Sequence, residues 1–330
     1  MAERESVLEG ILVGVESSSG TAVDATRRLT TYALTPTIDR EVTVNGNQGL
    51  KFGGVSQPGL DQTSWSYEGP LTYNESNFML STILGAPTVA QIGTSTAYRF
   101  TFTPDIDGAD TKKTLTVEQG STQRAHEVTY FHTQSWGMKF NRSGEVTNSG
   151  TAMAQEISDD ITLTNAATWS DITEVPVIAD QWDVYVDTTS ASLGSTQFTR
   201  VFEAELNLND WWSTISAINS SEPSWVEAVH NPDGKGELKL KVEANAQGMG
   251  LLTDLEPGTT KYIRLLATGG TLGTSTYSFQ IDGAWKMTKP DSFEDQDGVY
   301  ALGWNFELVA DTTWNKAIEF QVVNDLTALA

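Results

Sequence analysis

The chain has 330 residues, with 43 acidic against 20 basic side chains, a formal net charge of −23 and no cysteine. An acid excess of this size offers phosphate little attraction and argues against a protein that grips nucleic acid. The missing cysteines exclude disulfides, thiolate metal sites and cysteine nucleophiles together. With 38% hydrophobic and 19% charged residues, the composition is neither that of a disordered chain nor of a membrane-embedded one. No apolar run approaches the roughly 18 residues of a spanning helix. The opening MAERESVLEGILVGVESS has an apolar core of only Ile11-Leu12-Val13, too short for a secretory segment, so the protein is expected to start in the cytosol. Its acidity has two physical uses: keeping a surface hydrated in salty cytoplasm, or making a wall to which a passing polyanion does not adhere.

In chain order, Asn45-Gly46 signals a turn inside a polar stretch, 38–62, that reads as a loop. A strand over 64–72 leads into a helix with Asn74 as N-cap, apolar Phe78, Met79, Ile83 and Leu84, and Gly85 just past its end. Period-two alternation then predicts strands over 98–103 and 113–118, and shorter ones over 128–131 and 137–140. Further strands are predicted over 182–187, 237–242, 261–266, 277–285 and 301–309. A second helix is placed over 246–255, weakened by Gly248 and Gly250. Asp107-Gly108, Asn231-Pro232-Asp233-Gly234 and Asp297-Gly298 separate strands as turns. Strand, helix and strand follow one another in both halves, a repeat of element order rather than of residue identity. The polar stretch 166–174 divides the chain into modules over 1–168 and 169–330. The expected fold is mainly β: two tandem β-sandwich or split-barrel modules, each with a short flanking α-helix.

Catalytic chemistry finds little footing. His126 and His132, six apart, would share a face of an uninterrupted strand, but no third ligand has recognisable spacing, and His230 falls in a turn. There is no G-x-S-x-G elbow and no phosphate-cradling G-x-x-x-x-G-K-[ST]. Two carboxylates suffice for glycoside hydrolysis, yet 43 acidic residues always supply some suitable pair. The runs 105–110 and 295–298 have a calcium-loop flavour without the closing Glu. Trp211-Trp212, Trp225 and Trp314 suit either a core or a sugar-stacking platform, which makes a carbohydrate-binding or surface-layer protein the alternative reading. Asn74-Glu75-Ser76 and Asn141-Arg142-Ser143 match glycosylation sequons. No catalytic, cofactor-binding or metal-ligating residue is assigned, and no cofactor is expected.

The segment Gly14-Val15-Glu16-Ser17-Ser18-Ser19-Gly20-Thr21 resembles the early G-x-E-x-x-x-G-T stretch of tail-tube (major tail) proteins of tailed bacteriophages and tailed archaeal viruses. The passage from Trp65-Ser66-Tyr67-Glu68-Gly69-Pro70 into a short helix ending Leu84-Gly85 is similar to theirs. So is the stretch Phe293-Glu294-Asp295-Gln296-Asp297-Gly298-Val299 ahead of two long strands and Val323-Asn324. The resemblance implies a non-enzymatic virion protein, assembled in the host cytoplasm. Its subunits would build stacked rings in which each module adds strands to a continuous inner β-barrel. It implies homotrimeric pseudo-hexameric rings, or else homohexamers, meeting tape-measure, terminator and distal-tail proteins. Genome DNA would pass through the lumen unbound, with no membrane partner. Acidic side chains such as Glu205, Glu237 and Asp187 are among many candidates for the channel wall. The segments 169–194 and 38–62 are the expected ring-to-ring contacts.

Overall fold

A computed structural model describes residues 9–121, 124–141, 145–164, 169–218, 224–255 and 257–329. In the first half the strands are β1 (Gly10–Val15), β2 (Arg27–Leu29), β3 (Ala33–Gly46) and β4 (Gly53–Pro70). Helix α1 (Ser76–Leu84) follows, then β5 (Thr88–Gln91), β6 (Tyr98–Phe102) and β7 (Leu115–Gly120). The half closes with β8 (Ala125–Asn141), β9 (Thr147–Ala154) and β10 (Ile157–Ile161), and β11 (Ser170–Asp171), just past the expected boundary, returns to pair β2. The second half holds β12 (Trp182–Asp187), β13 (Gln197–Phe198), β14 (Val201–Asn209), β15 (Trp212–Ile215), β16 (Glu227–His230) and β17 (Lys235–Glu243). Short helices α2 (Ala246–Gly250) and α3 (Leu252–Leu255) lead to β18 (Thr260–Leu272), β19 (Ser275–Pro290), β20 (Glu294–Gln296), β21 (Val299–Leu308) and β22 (Ile318–Asn324). The protein is mainly β.

Alternation decides which way each strand faces. In β4, Thr63, Trp65 and Tyr67 are buried while Ser64, Ser66 and Glu68 are exposed; in β17, Leu238, Leu240 and Val242 go inward with Glu237 and Lys239 outward. These strands belong to one antiparallel run ordered β3, β4, β9, β8, β14, β17, β21, β19, eight strands spanning both halves. Within the run the halves join at the β8–β14 ladder, where Phe140 stands opposite Ala204 and Trp136 opposite Leu208; β6 and β22 join them a second time.

A second tier packs behind this run. In the first half β7 pairs β1 on one side and the start of β8 on the other, and β10 follows. In the second half β18 pairs β12 and β19, and β22 follows. The pairing order β3, β4, β9, β8 is therefore repeated by β14, β17, β21, β19, and β1, β7, β8, β10 by β12, β18, β19, β22. Among the described residues twenty strands form one hydrogen-bonded network, with only β15 and β16 apart. Its single parallel pair among the described residues is β2 with β11, and the pairings among those residues close no barrel. One core runs through both halves. Trp136 meets Phe320 edge-on at 5.5 Å, and Phe140 stacks on Trp182 at 4.5 Å.

Several expectations change on inspection. The strands read separately over 128–131 and 137–140 are one, β8. It passes from one tier to the other at Tyr130, whose φ of 55° is an outlier for an aromatic residue. That strain is held by the Tyr130 amide donating to Glu16 Oε1 at 2.8 Å and by the ring meeting Trp225 at 4.5 Å. Helix α1 starts later than expected: Glu75 is its N-cap residue, and Asn74 instead donates to the Thr173 carbonyl at 2.7 Å. Every residue of α1 is buried, so its polar side chains bond to backbone carbonyls: Ser76 to Thr72, Asn77 to Tyr73, Ser81 to Phe78, Thr82 to Met79. Its exit needs Gly85, at φ 90°. The helix expected over 246–255 is two short pieces. Asn245 Oδ1 caps the first by accepting from the Gln247 and Gly248 amides, and the glycines limit its length. His230 ends strand β16 opposite Trp212 rather than lying in a turn. The polar stretch 38–62 is not a loop but the far part of the β3–β4 hairpin, with its turn at residues 47–52 rather than at Asn45-Gly46. The first four residues of the expected module boundary lie mostly outside the described residues, which omit 165–168.

Candidate assembly surfaces

Three features stand out: the exposed face of the eight-strand run, its two edges, and the hairpin that projects beyond it. Residues directly opposite in register share a face. Across the run, Ala33, Glu68, Ser149, Gly137, Asn207, Glu237, Glu307 and Lys286 form one row. The next row reads Thr147, Lys139, Glu205, Lys239, Asn305 and Lys289. Near β3, β4 and β9 the face is made of small hydroxyls: Thr35, Thr37, Ser64, Ser66 and Thr151. Towards β19 it becomes a ladder of opposed charges.

That ladder is balanced. On the strands of the run six carboxylates (Glu68, Glu203, Glu205, Glu237, Glu243, Glu307) share the face with six lysines (Lys139, Lys235, Lys239, Lys241, Lys286, Lys289), and Asp291, Glu294 and Arg200 reach it from flanking segments. Lys139 Nζ lies 2.7 Å from Glu203 and 3.5 Å from Glu205, and its hydrogen bond to Glu203 raises its pKa. Lys239 Nζ is 2.7 Å from Asp291. That bond raises the lysine's pKa and lowers the carboxyl's. Lys241 Nζ is 2.6 Å from Glu294. A groove of about 460 Å3 lies here, lined by Glu205, Glu237, Lys239, Lys289 and Glu307 among others. Of the three carboxylates singled out in the sequence, Glu205 and Glu237 stand on this face. Asp187 is buried, and its oxygens accept the amides of Gly194, Ser195 and Thr196 at 2.8 to 3.1 Å. Most of the chain's acid excess therefore sits on its other surfaces.

The edges are the outer side of β3 and residues 287–290 of β19, which run past the end of β18's ladder at Lys286. Open edges invite pairing with another chain.

The projecting hairpin is exposed along most of its length. β9 covers β4 only as far back as Thr63, so beyond it β3 and β4 pair with each other alone. Strand rise of ~3.3 Å per residue makes this arm roughly 25 to 30 Å long. Its base is tied by Arg40 bonding Asp61, with Glu156 at 3.4 Å from the same guanidinium, and by Gln62 Nε2 donating to Asp39 at 3.1 Å. Asp61 raises the Arg40 pKa by this hydrogen bond. Ile38, Val42, Val44, Val55 and Leu60 are exposed along it, and at its tip Leu50 and Phe52 are 65% and 83% exposed. Several large apolar side chains exposed on one projecting arm suit a protein contact better than a monomer surface.

The remaining sequence candidates behave as structure. Trp211, Trp212 and Trp225 are buried, and Trp212 Nε1 donates to the Ile83 carbonyl at 2.8 Å, so these indoles offer no sugar platform. Trp314 packs edge-on to Tyr262 under the Lys316 ammonium. His126 lies against Trp65, and His132 against Tyr130 and Trp225. Among the described residues no group of three or more His, Asp or Glu is arranged to hold a metal ion. Asp110 serves its own loop by accepting the Asp105 amide at 2.8 Å. Asn74 of the first sequon is fully buried, and the second sequon lies outside the described residues beyond Asn141. The segment 169–194 divides: its first part lies along the first half, where the Tyr73 amide donates to Val175 and the Val177 amide to Leu71, while 182–187 pair with β18. The arm and the neutral face were not legible as such, because an apolar tip and a charge ladder show only once register is known. The chain matches no established family model and no curated protein.

Proposed function

We propose that this chain is a structural subunit that assembles with copies of itself, and that it is a tail-tube protein whose stacked rings conduct genome DNA. The observation that carries the reading is the eight-strand run, which joins both halves edge to edge and leaves one broad polar face and two open edges. Pairing β3 of one copy with the 287–290 edge of the next would extend the sheet from copy to copy, and a closed ring removes the exposed edges altogether. The repeated pairing order supports two tandem modules, 1–168 and 169–330, and hence three copies in a pseudo-hexameric ring. The polar face would then line the bore. Small hydroxyls and mutually paired charges hold no net positive potential towards phosphate, so a duplex would slide past it. The acid excess on the other surfaces suits solvation in a salty medium.

Electron microscopy of the purified protein over a range of salt concentrations tests this. Hollow tubes or stacked rings of three-fold symmetry are the expected result. Monomers at every salt concentration, also after β3 edge and arm are left intact at high protein concentration, would overturn it.

A further inference from the structure

We propose that the tip of the β3–β4 arm of one copy docks on the β20–β21 hairpin of another copy, joining subunits head to tail. The inference rests on the self-assembly reading and names the surface that receives the arm. Along the row through Glu68, Asn207, Glu237 and Glu307, β4 runs back towards the arm in one direction. β21 runs back to the β20–β21 turn in the other, because Glu237 opposes Glu307 while Glu243 opposes Ala301. Arm tip and hairpin thus mark opposite ends of one sheet. A contact between them is heterologous and does not close on a pair, so it propagates as a stack.

The two surfaces are complementary in charge and in apolar character. The arm tip, residues 45–54, carries Lys51 as its only charge, between exposed Leu50 and Phe52. The hairpin, residues 291–300, carries Asp291, Glu294, Asp295 and Asp297 and no basic residue. Lys239 and Lys241 engage Asp291 and Glu294, whereas Asp295 and Asp297 have no lysine or arginine partner among the described residues. Tyr300 stands opposite Asp295 with Phe293 two residues away, and these rings are 75% and 58% exposed. The turn is rigid: Asp297 and Gly298 take φ of 51° and 86°, and the Gly298 amide donates to Asp295 at 3.1 Å. One copy therefore offers a cation between two apolar side chains, and the next offers two carboxylates, held only by the Gly298 amide and the Gln296 side chain, between two aromatic rings. Aromatic anchors ringed by charge are the composition of a specific contact.

The absence of native cysteine makes the test direct. A chain carrying Phe52→Cys and Tyr300→Cys is expected, on mild oxidation, to give a ladder of dimers, trimers and longer species on a non-reducing gel. Phe52→Cys with Val89→Cys, also exposed, should give none. Lys51→Glu should raise the concentration needed for assembly about tenfold, and adding Asp295→Lys with Asp297→Lys should restore it. Tubes that form without a ladder, together with no rescue by the charge swap, would overturn this docking and leave self-assembly standing. A wild-type chain that never assembles would instead overturn the reading beneath it.

Discussion

Glu75 is fully buried at the entrance to α1, yet its carboxylate accepts four hydrogen bonds, from the amides and hydroxyls of Thr30 and Thr31. It fastens the β2–β3 connection to the helix. Removing it leaves those donors without partners in a dry site, which costs about 3 kcal/mol. Glu75→Ala should lower the urea midpoint accordingly, with Glu75→Gln losing less. His132 gives a pH dependence. Burial lowers its pKa from 6.5 to about 4, because the imidazolium would lose its water with the Lys112 charge nearby. Above pH 6.5 the ring is neutral in both folded and unfolded chains, and its full contribution is present. As pH falls through this window the unfolded chain takes up the proton first, so stability declines by roughly 2 kcal/mol between pH 7 and pH 5. Urea unfolding at the two pH values should show that loss, and His132→Gln should flatten it.

At the scale of elements, the arm and the body answer to different forces. The body's strands are held by the core, whereas the arm beyond Thr63 has only its own ladder and the Arg40 cluster at its base. Leu50→Ser with Phe52→Ser should therefore leave the thermal midpoint of the monomer within about 1 °C of wild type, since surface changes seldom exceed ~0.5 kcal/mol. The same pair should abolish long assemblies in light scattering. Sequence periodicity revealed most of the body, including 98–103, 182–187, 237–242 and 261–266, because half-buried strands alternate. It missed the length of β8, since Gln134 and Ser135 interrupt the alternation just past the point where the strand changes tier, at the register shift against β9. It missed the arm because exposed strands with both faces in solvent carry no alternation to read. The continuity of the run across β8 and β14 was equally hidden, as pairing between segments some 65 residues apart leaves no local trace.

For the whole molecule, charge is the dominant long-range term. A net −23 on a surface whose broad sheet face is balanced concentrates repulsion elsewhere, and salt relieves it. The thermal midpoint should rise by roughly 5 °C between 0.1 M and 2 M KCl. A midpoint that falls with salt would show that paired charges, rather than repulsion, govern stability.

Strand β6 has its long-range partner in β22, and the Asn324 side chain donates to the Tyr73 carbonyl across 251 residues of sequence. On a ribosome adding ~5–20 residues per second, the piece that completes the core around α1 arrives roughly ten seconds to a minute after Tyr73. Throughout that interval the arm has been made but the body that would seat it has not. On the assembly proposed above, the nascent chain would stay incompetent to join its neighbours until synthesis is nearly finished, and the order of translation would guard against premature polymerisation.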